Sequence, residues 1–286
     1  MVLYLVGLGL GDEDDITVKG LKIVQQCDLV ILEAYTSVLG LVNKERLEDL
    51  YRKPIIVADR DTVETQADDM ILQEDKDVAF LVVGDPLCAT THTDLWLRAR
   101  QKGIEVRVVH NASIMGAAAS SGLSLYNFGQ TVSIPFFEDN WKPTSFVPKI
   151  EYNLKGSMHT LCLLDIKVKE PDFQAMIKGK TEYLPPRFMT VNTAAQQLLE
   201  AQELMGGDTS YGSALCVGMA RMGQPTQQIV AGTLEELVKV DMGAPLHSLI
   251  ICGQVHDLEI EVLKEFLLEG STYQLSQKES NNQLVS

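Results

Sequence analysis

The chain has 286 residues, of which 45% are hydrophobic and 22% charged, so it is long enough for one large α/β domain or two smaller ones. Its formal net charge of −15 argues against general affinity for nucleic acid, whose phosphate backbone is also negative. No apolar run approaches the roughly 20 residues of a membrane-spanning helix. Neither nucleic acid nor a membrane is therefore an expected partner.

The cysteines and the N-terminus indicate a reducing compartment. The five cysteines form an odd set without a C-x-x-C pair, which is typical of small core residues rather than disulfides. The first residues lack the basic segment of a signal peptide, and their apolar run is broken by glycines and then acids. We expect a cytoplasmic protein, and no metal site is predicted.

The first half of the chain alternates predicted strands and helices. Short apolar runs predict strands at residues 2–6, 29–32, 54–57, 78–83 and 104–109. Apolar residues at helical spacing predict helices at 18–27, capped by Thr17, and at 62–74 and 92–102. This alternation implies a parallel sheet with helices on both faces. We assign residues 1–123 to an N-terminal α/β domain with a glycine-rich loop.

The second half repeats the mixture of strands and helices. Predicted strands lie at 131–136, 159–166, 215–222 and 247–252, and predicted helices at 190–204, 234–240 and 258–267. We assign residues 124–270 to a second α/β domain, so the predicted fold class is two α/β domains with mainly parallel or mixed sheets. Residues 271–286 are polar and are predicted to form a disordered tail.

Three motifs follow predicted strands of the first domain. They are Gly7-Leu-Gly-Leu-Gly11, Gly84-Asp-Pro86 and His110-Asn-Ala-Ser-Ile114. Each alone is an ordinary connector. Because ligands bind beyond the carboxyl ends of the strands in parallel α/β sheets, the three together predict a ligand site.

The glycine motifs fit neither a dinucleotide site nor a P-loop fully. The glycines at 7, 9 and 11 depart from G-x-G-x-x-G because Asp12 stands at the sixth position, although Glu33 ends the second strand where a ribose-binding acid would lie. Gly179-Lys-Thr181 lacks the leading glycine of a P-loop, since that position is Gln174. Four consecutive acids after Gly11 would also repel a pyrophosphate.

A cationic ligand suits these acids better. S-adenosylmethionine carries a sulfonium and an ammonium, which Asp85 and backbone carbonyls could hold, while Ser113 and main-chain amides could hold its carboxylate. The alternative interpretation of Asp85 is a turn residue that accepts from its own backbone beside Pro86.

At these motifs the chain resembles the diphthine synthases, the diphthamide-pathway members of the tetrapyrrole-methylase class. The matching blocks are Leu3-Tyr-Leu-Val-Gly-Leu-Gly-Leu-Gly-Asp12, Asp15-Ile-Thr17, Glu33-Ala-Tyr-Thr-Ser37, Gly84-Asp-Pro86, Ala89-Thr-Thr-His92, His110-Asn-Ala-Ser-Ile114, Met158-His-Thr-Leu-Cys-Leu-Leu-Asp165 and Pro185-Pro-Arg187. The resemblance runs from residue 1 to about 255 and is to the eukaryotic type.

The resemblance implies an enzyme with S-adenosylmethionine in a cleft between two α/β domains, and a homodimer. It implies elongation factor 2 as the protein substrate, where a histidine carrying a 3-amino-3-carboxypropyl group is methylated repeatedly; eukaryotic members also esterify the carboxylate. Two alternatives stay open at this point: a methylase of porphyrinoid tetrapyrroles, and a nucleotide-binding module without turnover.

Position by position, the resemblance implies eight cofactor-contacting residues: Leu10, Asp85, Cys88, Ser113, Ile114, Leu164, Met222 and His247. Two of them depart from the family, in which position 88 is commonly glycine and position 222 often a smaller aliphatic residue.

No catalytic acid or base is named from the sequence. Arg187 is a substrate-binding hypothesis from chemistry alone: it could pair with the substrate carboxylate, and the alternative is a solvated arginine. Residues 142–187 carry eight basic and five acidic side chains, a local positive excess in an acidic protein.

Overall fold

Two five-stranded sheets, one in each half of the chain, form the framework of the protein. The computed structural model describes residues 1–34, 44–172, 176–177, 179–180, 182–206 and 211–274. The prediction of an α/β fold with parallel and mixed sheets is confirmed.

The first sheet is parallel throughout, with strand order β3-β2-β4-β1-β5. Its strands are β1 (Val2–Gly7), β2 (Leu29–Glu33), β3 (Ile56–Ala58), β4 (Val78–Val82) and β5 (Glu105–Val109). The helices between them are α1 (Val18–Gln26), α2 (Lys44–Tyr51), α3 (Arg60–Thr65), α4 (Ala67–Met70) and α5 (Thr93–Gln101). Alternate residues of β4 enter two separate apolar clusters: Phe80 packs in one and Leu81 in the other. Helices therefore cover both faces, as predicted.

The second sheet is mixed, with order β11-β10-β12-β7-β6, in which only the β6–β7 pair is parallel. Its strands are β6 (Val132–Ile134), β7 (Thr160–Leu164), β10 (Leu215–Ala220), β11 (Gln228–Thr233) and β12 (His247–Ile251). A separate hairpin joins β8 (Ile166–Lys167) to β9 (Arg187–Phe188). The helices are α6 (Ile114–Ala117), α7 (Val147–Lys155), α8 (Val191–Met205), α9 (Leu234–Leu237) and α10 (Asp257–Leu263).

Several elements differ from the sequence prediction, among them helix α2 and strand β9, which were not predicted. The helix predicted at 62–74 is two short helices, α3 and α4, because Gln66 between them leaves the helical backbone region, with φ −112° and ψ 8°. Strand β11 was not predicted either; it lies at an edge of the sheet, where β10 is its one neighbouring strand among the described residues. The predicted cap of α1 is confirmed, since the Thr17 hydroxyl accepts from the Gly20 amide at 3.0 Å.

The strands of the first sheet all precede residue 110 and those of the second all follow residue 131. This agrees with a domain division near residue 123, and the exact boundary stays a prediction. The start of the predicted disordered tail needs correction, because Ser271 and Thr272 donate hydrogen bonds to the Glu236 carboxylate and Tyr273 packs against the core. Residues 275–286 lie outside the described residues. No helix in the described part of the chain is both long and apolar enough to cross a membrane.

Candidate functional site

A cleft lies between the carboxyl-terminal edge of the first sheet and strands β7, β10 and β12 of the second. Its cavity volume is about 160 Å³. Seven of the eight residues proposed from the sequence line it: Leu10, Cys88, Ser113, Ile114, Leu164, Met222 and His247. The eighth, Asp85, is not part of this lining. The structure therefore brings together residues from both halves of the chain, and their binding to a cofactor stays a prediction.

The glycine loop after β1 and the Gly84 loop after β4 run side by side. Gly9 and Gly84 exchange two backbone hydrogen bonds, of 3.2 and 2.7 Å, and both residues have positive φ. A Cβ on Gly7 would lie 2.6 Å from the Gly84 carbonyl oxygen. Only glycine allows this approach, which positions Leu10 and Gly84 in the cleft wall.

The acids after the glycine loop have local structural roles. Oδ2 of Asp15 accepts from the amides of Leu10 and Gly11, at 3.2 and 2.7 Å, and so fixes the end of the loop. Asp12 accepts from the Asp14 amide and caps a short 3₁₀ turn. At least two of the four acids thus hold the loop itself rather than a ligand.

Asp85 is 3% exposed, and protein donors occupy both of its carboxylate oxygens. Oδ1 accepts from the Leu87 amide at 2.9 Å, and Oδ2 accepts from the Asn111 amide at 3.1 Å and from Nδ1 of His110 at 2.8 Å. Burial acts to raise the pKa of Asp85, but these hydrogen bonds hold it below its ordinary value. The carboxylate is ionised and engaged, and any direct cofactor contact through it stays a prediction.

Asn111 ties the three strand-exit motifs together. Its side-chain amide donates to the Gly7 carbonyl at 3.0 Å and to the Asp15 carbonyl at 2.9 Å, while its backbone amide donates to Asp85. Sequence reasoning placed Asn111 in a motif without a role. The three loops are held in a fixed arrangement largely through this one residue.

His247, on the second wall, uses both ring nitrogens within the protein. Nδ1 accepts from the Val191 amide at the start of α8, at 3.2 Å, and Nε2 donates to the Ala244 carbonyl at 3.0 Å. Burial lowers the pKa of His247, which agrees with this neutral form. A ligand can therefore meet its ring surface or backbone, while its nitrogens are not available as a base.

Arg221 lines the cleft and was missed from the sequence. Its φ of 51° is unusual for a residue with a side chain. Nη1 donates to the carbonyls of Met242 and Ala244, both at 2.6 Å, so the guanidinium anchors the loop that leads to His247. The sequence signal was an arginine directly after the fully buried strand β10.

Cys88 and Met222, the two positions that differ from the residues common in the family, both lie in the cleft lining. Cys88 is partly exposed, and burial raises the pKa of its thiol. Met222 is 6% exposed and packs in the apolar cluster beneath the second sheet. Both side chains therefore contribute to the shape of the cleft.

Arg187 lies in β9, outside the cleft lining. Its guanidinium makes two hydrogen bonds to Glu170, of 2.8 and 2.9 Å, and stacks 4.7 Å from the Phe136 ring centroid. It is an exposed arginine that is paired with Glu170, and its binding of substrate stays a prediction.

Comparison with known proteins identifies the family to which this chain belongs. The family model described as Tetrapyrrole (Corrin/Porphyrin) Methylases matches residues 2–238. The chain belongs to this family. It is therefore a methyltransferase, as the sequence predicted.

Two curated relatives narrow the family further. The chain is 56% identical to a diphthine methyl ester synthase from Homo sapiens, covering 93% of this chain and 95% of that protein. It is 54% identical to a diphthine methyl ester synthase from Aspergillus fumigatus, covering 96% of this chain and 97% of that protein. This methyltransferase accordingly belongs with the diphthine methyl ester synthases.

Solved structures agree with that assignment. A crystal structure of a diphthine synthase superimposes with a TM-score of 0.80 at 32% identity, covering 93% of this chain and 96% of the other. A protein from Entamoeba histolytica assigned as a diphthine synthase gives a TM-score of 0.82 at 45% identity, covering 93% and 98%. The resemblance noted in the motifs is thus confirmed over nearly the whole chain.

Proposed function

We propose that this methyltransferase uses S-adenosylmethionine to methylate the aminocarboxypropyl-histidine intermediate on elongation factor 2, adding methyl groups to its amine and finally to its carboxylate. The observation that carries the proposal is the high identity to diphthine methyl ester synthases over nearly the whole chain. The cleft supports it, because residues matched to the family's cofactor contacts come from distant segments and line one cavity.

The cleft has the chemistry that S-adenosylmethionine requires. Leu10, Ile114 and Met222 offer apolar surface for the adenosine, and the Ser113 hydroxyl is a donor for the carboxylate. When bound, S-adenosylmethionine supplies an electrophilic methyl group on a sulfonium. Because protein donors already occupy the Asp85 carboxylate, the positive groups would be held chiefly by backbone carbonyls that line the cleft.

The protein's contribution to catalysis is mainly positioning. The loops held by Asn111 and Asp15 fix one wall, and Arg221 fixes the 242–247 loop on the other, so a nucleophile can be held in line with the methyl group. Exclusion of water by the apolar walls favours loss of charge at the attacking amine. The carboxylate attacks in its ionised form and needs no proton removed.

The proposed partners are elongation factor 2 and a second copy of this chain, in the cytoplasm. The runner-up is methylation of a porphyrinoid tetrapyrrole, as the name of the wider family describes. The names and high identity of the curated relatives favour the diphthamide substrate.

The test uses the purified enzyme with S-adenosylmethionine and elongation factor 2 isolated with either the aminocarboxypropyl histidine or an unmodified histidine. Mass spectrometry of the target peptide should find added methyl groups only on the modified factor. Methylation of unmodified histidine, or of a porphyrinoid in place of the factor, would overturn the proposal. Calorimetry should also find binding of S-adenosylmethionine and none of NAD.

A further inference from the structure

We propose that His110 is the general base that removes the proton from the substrate ammonium before each N-methylation, that Asp85 is its positioning residue, and that ester formation does not need it. The inference rests on the proposed function and concerns a step to which no residue has been assigned.

The first observation is the geometry of the pair. Nδ1 of His110 lies 2.8 Å from Oδ2 of Asp85, while Oδ2 also accepts the Asn111 amide and Oδ1 the Leu87 amide. A carboxylate that accepts these amides is ionised, so Nδ1 must carry the proton in this hydrogen bond. Nε2 is then left with a lone pair. This is the arrangement of a base whose tautomer is fixed by a second group.

The second observation is the contrast in exposure within the pair. The Asp85 side chain is 4% exposed, whereas the His110 side chain is 71% exposed. The carboxylate is thus anchored in the protein, and the ring projects into solvent. A substrate carried on another protein can reach such a nitrogen without entering the core.

The third observation is the position of the His110–Asp85 pair relative to the cleft. Gly84, which precedes Asp85, and Ser113, three residues after His110, both line the cleft. His110 directly follows β5, so it lies at the carboxyl edge of the sheet with the other two motifs. Neither Asp85 nor His110 is itself part of the cleft lining, but each lies within three residues of a residue that is.

The other titratable groups at this edge are less suited to the step. His247 has both nitrogens hydrogen-bonded, and His92 is 1% exposed with Nδ1 at 3.0 Å from the Pro86 carbonyl. The thiol of Cys88 has a raised pKa because of burial. Among the described residues that line or border the cleft, His110 combines a fixed tautomer with an exposed acceptor nitrogen.

The charged groups around His110 on neighbouring elements have partners of their own. In the loop after β4, Asp85 faces the ring directly. In the loop after β1, Asp15 accepts from the Leu10 and Gly11 amides. On β5 itself, Arg107 pairs with Glu105 at 2.8 Å. Asp85 is thus the charged group that faces the imidazolium after proton transfer.

The proposed step balances as follows. Nε2 takes a proton from the substrate ammonium, giving a neutral amine and an imidazolium paired with Asp85. The amine lone pair then forms a bond to the methyl carbon while the carbon–sulfur bond breaks, leaving a neutral thioether and a methylated ammonium. His110 returns its proton to water before the next cycle. After three methylations the quaternary nitrogen has no proton, and the carboxylate oxygen attacks directly.

The experiment compares His110→Gln with wild type and with His256→Gln, which changes an exposed histidine at the start of α10. Single-turnover N-methylation of the modified elongation factor is followed by mass spectrometry as a function of pH. Esterification is followed on a separate substrate. This is elongation factor 2 that wild-type enzyme has first fully methylated and whose methyl ester mild base has then hydrolysed back to the carboxylate.

We expect His110→Gln to slow N-methylation by about 10²- to 10⁴-fold, the usual contribution of a general base, and to lose the inflection assigned to the base. Its esterification rate should stay within about twofold of wild type, and His256→Gln should match wild type in both reactions. An unchanged pH profile, or equal losses in both reactions, would overturn the inference. A wild-type enzyme that methylates neither substrate would instead overturn the proposed function.

A second readout needs no turnover. Nitrogen-15 NMR of histidine-labelled wild-type protein should find the Nδ1–H tautomer for His110, and Asp85→Asn should change that tautomer ratio. An Nε2–H tautomer in the wild-type protein would overturn the assignment of the base, whatever the folding of the variants.

Discussion

Gly11 and Gly223 lie against each other where the two halves of the chain meet. A Cβ on Gly11 would lie 2.5 Å from the carbonyl oxygen of Gly223, and a Cβ on Gly223 would lie 3.0 Å from the Cβ of Leu10. The neighbours Leu10 and Met222 line the cleft on its two sides. The width of the cleft therefore depends on two residues without side chains.

Gly11→Ala should force these two loops apart. We expect the free energy of unfolding to fall by about 1–3 kcal/mol, the typical cost of overpacking, and S-adenosylmethionine to bind more weakly. Urea denaturation and calorimetry measure the two effects. Gly116→Ala is the matched control, because a Cβ there meets no atom within 4 Å. If both variants have the same free energy of unfolding and the same affinity for S-adenosylmethionine, the loops separate at no cost in free energy.

The first sheet could be predicted from the sequence because its signals are local. Buried parallel strands are continuous apolar runs, such as β4, and the glycine motifs mark their exits. The family resemblance then supplied Cys88, Leu164 and His247, which have no local signature and come from distant segments.

What the sequence could not provide were relationships between distant residues. The charge of Asp85 and its place after a strand predicted a ligand contact, yet its donors come from Leu87, His110 and Asn111, two of which lie 25 and 26 residues away. The role of Arg221 depends on carbonyls more than 20 residues later in the chain. Such pairings follow from the assembled sheets and not from spacing.

Asp85→Ala should weaken binding of S-adenosylmethionine by about 1 to 3 kcal/mol, because it leaves hydrogen-bond donors of two cleft loops without their charged partner. Calorimetry on a variant with wild-type circular dichroism measures the change. Asp94→Ala, which removes an exposed aspartate of α5 paired only loosely with Arg98, should leave the affinity unchanged. If the folded Asp85 variant binds as wild type does, Asp85 is a turn residue without influence on the cofactor.

Glu236 should contribute an acid-sensitive part of the stability. Burial acts to raise the pKa of Glu236, but hydrogen bonds from Ser271, Thr272 and Thr233 lower it to about 2. A lowered folded-state pKa stabilises the fold above the ordinary value of 4.5, and this gain is lost as the pH falls towards 2.

Urea denaturation across that pH range should find a smaller loss for Glu236→Gln than for wild type, by about 1 kcal/mol because the site is partly solvated. Glu235→Gln, one residue earlier and exposed, is the control and should follow wild type. Identical pH dependence in all three proteins would mean that the carboxylate is not held by the 271–274 segment in solution.

Arg187→Ala tests whether the basic segment docks the substrate. Arg187 is partly exposed and paired with Glu170, so a substrate carboxylate could exchange with Glu170 in a bidentate contact. We expect kcat/KM for elongation factor 2 to fall about tenfold, which corresponds to about 1.4 kcal/mol, while calorimetric affinity for S-adenosylmethionine stays nearly unchanged. Lys180→Ala removes an exposed positive charge that lies in the same segment and pairs with Glu182, and it should have little effect.

A loss of stability in Arg187→Ala without a change in kcat/KM would assign the arginine to holding the β8–β9 hairpin against Phe136. Normal kinetics and normal stability together would remove the docking hypothesis and leave the methyltransferase assignment intact.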